Sequence, residues 1–81
     1  MPRRFSEREV SRALERIGFE LVRQRGSHMR YRGFWRGQQR NVSIVSGRRE
    51  IVPSLLSDIL AQADLTVEEL DALVRGERIT E

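Results

Sequence analysis

The residue of this sequence best suited to proton transfer near neutral pH is its single histidine, His28. An imidazole has an unperturbed pKa of about 6.5, so it can accept or donate a proton under physiological conditions. The sequence contains no cysteine, which excludes a disulfide framework, a cysteine-based zinc site and a thiol nucleophile. The chemistry open to His28 therefore depends on the charged groups that surround it.

Those charged groups are unevenly distributed along the chain. All 15 basic residues are arginine, and the first 49 residues carry 13 of them with 4 Glu, whereas the remainder carries 2 Arg and 8 acids. No acid lies between Leu21 and Arg49, the stretch that contains His28. Guanidinium groups bind phosphate oxygens in a bidentate way, whereas an ammonium is a point charge. The sequence therefore predicts two surfaces with different partners, of which the basic one attracts nucleic acid.

The segment HMRYRGFW has the alternation of a strand with one buried and one exposed face. Alternation places Met29 and Tyr31 on the face toward the core. It places on the opposite face His28, Arg30 and Arg32. We expect the imidazole to project outward from the middle of an arginine-rich platform.

Neighbouring residues extend this platform in ways that depend on the strand register. Arg23 or Arg25, on an adjacent predicted strand, would reach the same phosphate in a suitable register, which the sequence leaves open. Phe34 and Trp35 either stack on nucleic-acid bases or pack at the end of a hairpin.

Helix signals flank these strands. Ser6 with Glu9 forms a capping box that opens a predicted helix over residues 7–17, and Thr66 with Glu69 forms a second that opens a short helix ending near Gly76. The predicted strands are FELVRQR, HMRYRGFW and RNVSIVS, with turns at RGS and WRGQQ. A further helix is expected to begin at Pro53, because proline is favoured in the first turn.

Two runs of the sequence resemble HicA-type toxins of toxin-antitoxin systems. The first is GFELVRQRGSHMRY, and the second is IVPSLLSDILAQADLTVEEL. The resemblance implies an α+β fold of the α-β-β-β-α type, similar to double-stranded-RNA-binding domains. In this fold a three-stranded antiparallel sheet has its helices on one face, here with an added short C-terminal helix. It also implies an mRNA-cleaving activity (an mRNA interferase) and inhibition by a HicB-type antitoxin.

The resemblance assigns roles only to matching positions, which are Gly26, Ser27 and His28, with His28 as the catalytic residue. Many members of the family have a second histidine directly after the first, where Met29 stands here, and their basic residues are often lysine. The first departure puts any auxiliary histidine role in doubt, whereas the second should leave phosphate binding intact.

The expected site therefore has His28 as its catalytic residue and guanidinium groups that stabilise negative charge on the phosphate. The expected substrate-binding residues are Arg23, Arg25, Gly26, Ser27, Arg30 and Arg32. We expect the second proton carrier to be water or the hydroxyl of Ser27 or Tyr31, or to be absent. We expect a slow, metal-independent endoribonuclease without a cofactor, because no carboxylate cluster in the basic part would hold Mg²⁺.

Several further expectations bound the function. We expect residues 1–81 to form one domain, and the protein to be cytoplasmic and not membrane-bound, because no signal peptide or membrane span is recognisable. The main alternative is a non-catalytic RNA-binding module of the same fold. A helix-turn-helix in the C-terminal part is disfavoured, because Glu68 and Glu69 would begin its recognition helix and repel a phosphate backbone.

Overall fold

A computed structural model describes residues 4–47 and 49–81 of the chain. Arg3 and Arg48, which belong to the predicted basic set, lie outside the described residues. The elements in chain order are α1 (Glu7–Arg16), β1 (Glu20–Arg25), β2 (His28–Trp35), β3 (Gln38–Val45), α2 (Pro53–Ala63) and α3 (Val67–Val74). No helix among residues 4–47 and 49–81 is long and apolar enough to cross a membrane.

Both predicted capping boxes are confirmed. The Ser6 hydroxyl accepts a hydrogen bond from the Glu9 amide at 3.1 Å, and the Ser6 amide donates to Glu9 Oε1 at 2.9 Å. Thr66 and Glu69 repeat this arrangement at the start of α3, with the same two distances of 3.1 and 2.9 Å. Each box satisfies amide groups that a helix start leaves without an intrahelical partner. Helix α1 ends at Arg16, one residue before the predicted end.

The three strands form an antiparallel sheet in the order β1-β2-β3. The β1–β2 turn consists of Gly26 and Ser27, and Gly26 has the positive φ of 60° that favours glycine at the first position of a type II′ hairpin. The β2–β3 turn is shorter than predicted. Arg36 and Gly37 both have positive φ, 52° and 84°, and close a two-residue hairpin of the type I′ kind. Strand β3 therefore begins at Gln38, earlier than the predicted RNVSIVS.

The core lies between the helices and one face of this sheet. Its β2 residues are Met29, Tyr31 and Trp35, and those of β3 are Val42 and Ile44. The helices and loops contribute apolar side chains such as Phe5, Val10, Leu14, Ile59 and Leu70. Burial of these side chains is the main favourable term in folding. The predicted α+β fold is confirmed, with the α-β-β-β-α order of double-stranded-RNA-binding domains and a short helix after it.

Candidate functional site

The sheet face opposite the core carries His28. Exposure alternates along β2, so that Met29 and Tyr31 are 7% and 5% exposed, whereas His28, Arg30 and Arg32 are exposed. This agrees with the alternation expected from the sequence. We call the exposed side of the sheet, with His28, Arg30, Arg32 and their cross-strand partners, the His28 face.

The register of β1 adds two guanidinium groups to the His28 face. Arg25 pairs with His28, and Arg23 pairs with Arg30, so each pair shares one side of the sheet. An open depression of about 230 Å³ lies on this side, lined by Arg23, Arg25, His28, Met29, Arg30 and Ser43. The structure therefore brings together His28 and three of the arginines predicted to bind substrate.

A β-bulge at Val22 produces this arrangement. Leu21 pairs with Tyr31 and Arg23 pairs with Arg30, so two steps along β1 match one step along β2. Without the extra residue, strict alternation would put Leu21, Arg23 and Arg25 on the same face of β1. The bulge lets Leu21 pair on the core side while Arg23 and Arg25 join the His28 face. Sequence reasoning left this register open.

The sequence analysis predicts His28 in the middle of the arginine-rich platform, but the structure places it elsewhere. It is the first residue of β2, next to the Gly26–Ser27 turn, and its β3 partner is the half-buried Val45. The sheet therefore presents the imidazole at one end. The arginine-rich surface extends away from it along β1 and β2, and strand-end placement leaves the ring open to a large substrate.

The other predicted binding residues have different positions. Gly26 and Ser27 are exposed in the turn beside His28, but they do not line the depression. Arg32 lies on the His28 face, farther along β2, and its Nε donates a hydrogen bond to Asn41 Oδ1 at 3.1 Å. These three residues lie near the depression but do not line it.

The hydroxyl groups of Tyr31 and Ser43 lie on opposite faces of the sheet. Tyr31 is buried on the core side of β2, so its hydroxyl does not lie on the His28 face, where the sequence analysis considered it as a proton carrier. Ser43, which the sequence analysis did not single out, lies opposite Arg30 and lines the depression. Alternation in the segment RNVSIVS would have placed Ser43 on the exposed face.

The charges around the depression are almost entirely positive. In the part of the chain that the structure describes, no carboxylate lies within ion-pair distance of Arg23, Arg25 or Arg30. The one acid on the paired part of this face is Glu20, opposite Arg32. Unpaired guanidinium groups next to an exposed imidazole give this surface a positive charge and donor groups that are complementary to a phosphate.

No group of three or more His, Cys, Asp or Glu residues that would hold a metal ion occurs in the described ranges. The donors at the depression are nitrogen and hydroxyl groups, which suit an anion better than a hard cation. The arrangement can hold a phosphodiester and transfer one proton to or from it.

These features define a small α+β protein with an arginine-rich, positively charged sheet face and an exposed imidazole. Residues 8–65 match the family model described as the HicA toxin of bacterial toxin-antitoxin systems. The chain belongs to the HicA toxin family, and it is the toxin of a toxin-antitoxin pair with an antitoxin as its partner. Comparison with curated proteins and with solved structures found no match.

Proposed function

We propose that this toxin is an endoribonuclease that cleaves mRNA, with His28 as its proton-transfer group. The observation that carries the proposal is the open depression in which His28 lies beside three guanidinium groups without acid partners. Membership of the HicA family supports the same function.

Cleavage of RNA requires three contributions at the phosphodiester. A base removes the proton of the 2′-hydroxyl, whose oxygen then attacks phosphorus. An acid protonates the 5′-oxygen as its bond to phosphorus breaks, and positive charge stabilises the pentacoordinate phosphorane between these steps. The products are a 2′,3′-cyclic phosphate and a free 5′-hydroxyl. His28 is suited to either proton transfer, because an imidazole can both accept and donate a proton.

The arginines supply the positive charge. Arg25 is the direct cross-strand neighbour of His28, and Arg23 and Arg30 form the next pair along the sheet. Directly opposed side chains have Cβ atoms about 5 Å apart, so all three guanidinium groups are within reach of one phosphate beside the imidazole. Donors fixed where charge develops are usually the largest electrostatic contribution to such reactions.

A single imidazole performs one of the two proton transfers. The other falls to water or to the hydroxyl of Ser27, which directly precedes His28 in the turn. Because neither group has a pKa near 7, we expect slow turnover. The proposed reaction uses no metal ion, since the depression offers guanidinium, imidazole and hydroxyl groups instead of carboxylates.

The antitoxin is proposed to be of the HicB type and to cover the His28 face. Exposed guanidinium groups without acid partners are complementary to acidic side chains, so a protein can occupy the surface that binds RNA. Addition of the antitoxin is expected to shift the His28 ring resonances and to prevent RNA binding. Unchanged resonances and unchanged RNA binding would contradict this mode of inhibition.

The test of the proposed function is cleavage of labelled single-stranded RNA in EDTA by the wild-type protein and by His28→Ala. The wild-type protein is expected to cleave, and the variant to lose about 10²- to 10⁴-fold in rate, the usual contribution of general acid–base catalysis. RNA binding and the midpoint of thermal unfolding should stay unchanged, because the side chain is exposed.

Arg12→Ala is the matched control, since Arg12 is exposed on α1, away from the sheet face. It is expected to cleave RNA at the wild-type rate. Wild-type protein that binds RNA without cleaving it would favour the non-catalytic binding module, and full activity of His28→Ala would exclude the histidine mechanism.

A further inference from the structure

A large aromatic side chain stands exposed on the same face as His28. Phe34 is 71% exposed, more than any other large apolar side chain in the described residues. The exposure pattern of β2 places it in one row with His28, Arg30 and Arg32. We propose that Phe34 is a base-stacking position for the RNA substrate, an inference that rests on the proposed ribonuclease function.

Trp35, the residue after Phe34, packs at the end of the β2–β3 hairpin. Trp35 is 4% exposed and belongs to the core, so it anchors this end of β2. Phe34 points to the opposite side and adds nothing to the core cluster. Of the two roles left open for these aromatics, Trp35 therefore has the packing role, and Phe34 keeps a free ring.

The surroundings of Phe34 leave the face of its ring accessible. Its partner on β3 is Gln39, which is exposed and carries an amide group that can donate and accept hydrogen bonds. On the other side, pairing with β1 ends at Glu20 opposite Arg32, so no β1 residue pairs with Phe34. A base can therefore approach the ring from the open flank of the sheet.

The spacing along β2 fits a strand of RNA that starts at the catalytic imidazole. Phe34 lies six residues after His28, which corresponds to about 20 Å along a strand. Arg30 and Arg32 lie between them on the same face and supply contacts to the backbone phosphates. A single strand bound along β2 thus places one base, a few nucleotides from the scissile bond, on Phe34. Aromatic rings stack on bases of any sequence, because every base has a π-face.

The experiment combines protein variants with RNA that lacks one base. Binding of a short single-stranded RNA is measured in the His28→Ala background, in which the RNA stays intact, and each nucleotide is replaced in turn by an abasic one. Phe34→Ala is expected to weaken binding of the complete RNA about tenfold, which corresponds to about 1.4 kcal/mol. One abasic position should weaken binding to the Phe34 protein by a similar factor and have little effect on the Phe34→Ala protein.

Further variants separate stacking from other roles of the side chain. Phe34→Trp should bind at least as tightly as the parent, and Phe34→Leu, which is apolar but has no π-face, should bind as weakly as Phe34→Ala. Val67→Ala is the control, since Val67 is a 42% exposed apolar side chain on α3, in the helical layer. It is expected to leave RNA binding unchanged.

The outcomes distinguish this inference from the proposed function. If wild-type protein cleaves RNA and Phe34→Ala binds as tightly as its parent, base stacking is wrong and the ribonuclease function stands. The same conclusion follows if Phe34→Ala weakens only the complex with the antitoxin. If wild-type protein neither binds nor cleaves single-stranded RNA, both proposals fail.

Discussion

The arginines near the two ends of the sheet have opposite surroundings. At the His28 end, Arg23, Arg25 and Arg30 are exposed and have no acid partner in the described part of the chain. At the other end, Arg36 and Arg40 are partly buried, and their side chains are only 22% and 14% exposed. The same residue type is thus exposed and without acid partners at one end, and is held in contacts within the fold at the other.

Arg36 joins three segments of the chain. Its Nη1 donates to the carbonyl oxygen of Asp64 at 2.7 Å and to Glu69 Oε1 at 3.1 Å. Its Nη2 donates to Glu69 Oε2 and, at 2.8 Å, to the carbonyl oxygen of Thr80, and the guanidinium lies 5.1 Å from the centre of the Trp35 ring. We call this set of contacts the Arg36 clasp. It links the β2–β3 hairpin to α3 and to the C-terminal segment.

The type I′ turn gives Arg36 an unusual backbone conformation. Arg36 has a φ of 52°, in the left-handed region that non-glycine residues seldom adopt, at a cost of about 1 to 3 kcal/mol. Its hydrogen bonds to Glu69 and two carbonyl oxygens offset that cost. The comparison teaches that the partners of a guanidinium group, and not its residue type, decide whether it is available to a phosphate.

Loss of the clasp is expected to have the largest effect on stability. Arg36→Ala removes charged hydrogen bonds and leaves the partly buried Glu69 without its cation, which should lower the free energy of unfolding by about 2 to 3 kcal/mol. Urea denaturation measures the change. Arg36→Gly, which suits the positive φ, should lose less than Arg36→Ala and still be less stable than wild type.

Arg12→Ala provides the control for net charge. It removes the same charge from an exposed position and should change the free energy of unfolding by less than about 0.5 kcal/mol. Equal stability of Arg36→Ala and Arg12→Ala would show that the clasp contributes nothing and that the contrast between the two ends has no energetic basis.

Acidification should weaken the Arg36 clasp. Hydrogen bonds from Arg36 and from the Thr66 amide lower the pKa of Glu69 from its ordinary 4.5 to about 2. Because the pKa is lower in the folded state, the carboxylate contributes stability fully above the ordinary pKa and loses it as pH falls toward 2. The free energy of unfolding, measured between pH 6 and pH 2, should therefore decrease on acidification.

Glu69→Gln tests this assignment, since glutamine can keep the capping hydrogen bond to Thr66 without titrating. The variant is expected to be less stable than wild type at pH 6, and the difference should shrink as the pH approaches 2. Parallel pH profiles of the two proteins would contradict a titrating Glu69.

The elements that the sequence predicts well depend on residues close together in the chain. Capping boxes involve residues three positions apart, and the alternation of β2 depends on neighbours two positions apart, so Ser6 with Glu9 and the row from His28 to Arg32 were correctly predicted. Their physical causes are local hydrogen bonds and strand geometry, which tertiary contacts rarely overrule at such positions.

The features that the sequence did not reveal depend on distant pairing. The bulge at Val22 becomes visible only once Leu21 is known to pair with Tyr31 and Arg23 with Arg30. The Arg36–Glu69 pair joins residues 33 positions apart. Neither has a local signature, so the arginine-rich stretch from Leu21 to Arg49 gave no indication of which guanidinium groups are free and which are occupied.

The smallest predicted effect is that of Arg23→Gln, which should raise the free energy of unfolding, whereas loss of the Arg36 clasp should lower it. Arg23 and Arg30 are directly opposed across β1 and β2, and like charges in this position destabilise a sheet by a few tenths of a kcal/mol. Arg23→Gln is therefore expected to raise the free energy of unfolding by about 0.5 kcal/mol at low salt. The gain should vanish at high salt, because counterions screen exposed charges.

The same substitution should weaken RNA binding and reduce the salt dependence of log Kd by about 0.7, the value for one phosphate contact on a single strand. Arg12→Gln removes an equal charge from α1 and should change neither quantity. A stabilised Arg23→Gln protein with weaker RNA binding would show that repulsion at the His28 end is retained because a phosphate relieves it. A destabilised protein with unchanged RNA binding would place Arg23 with Arg36 among the arginines that hold the fold.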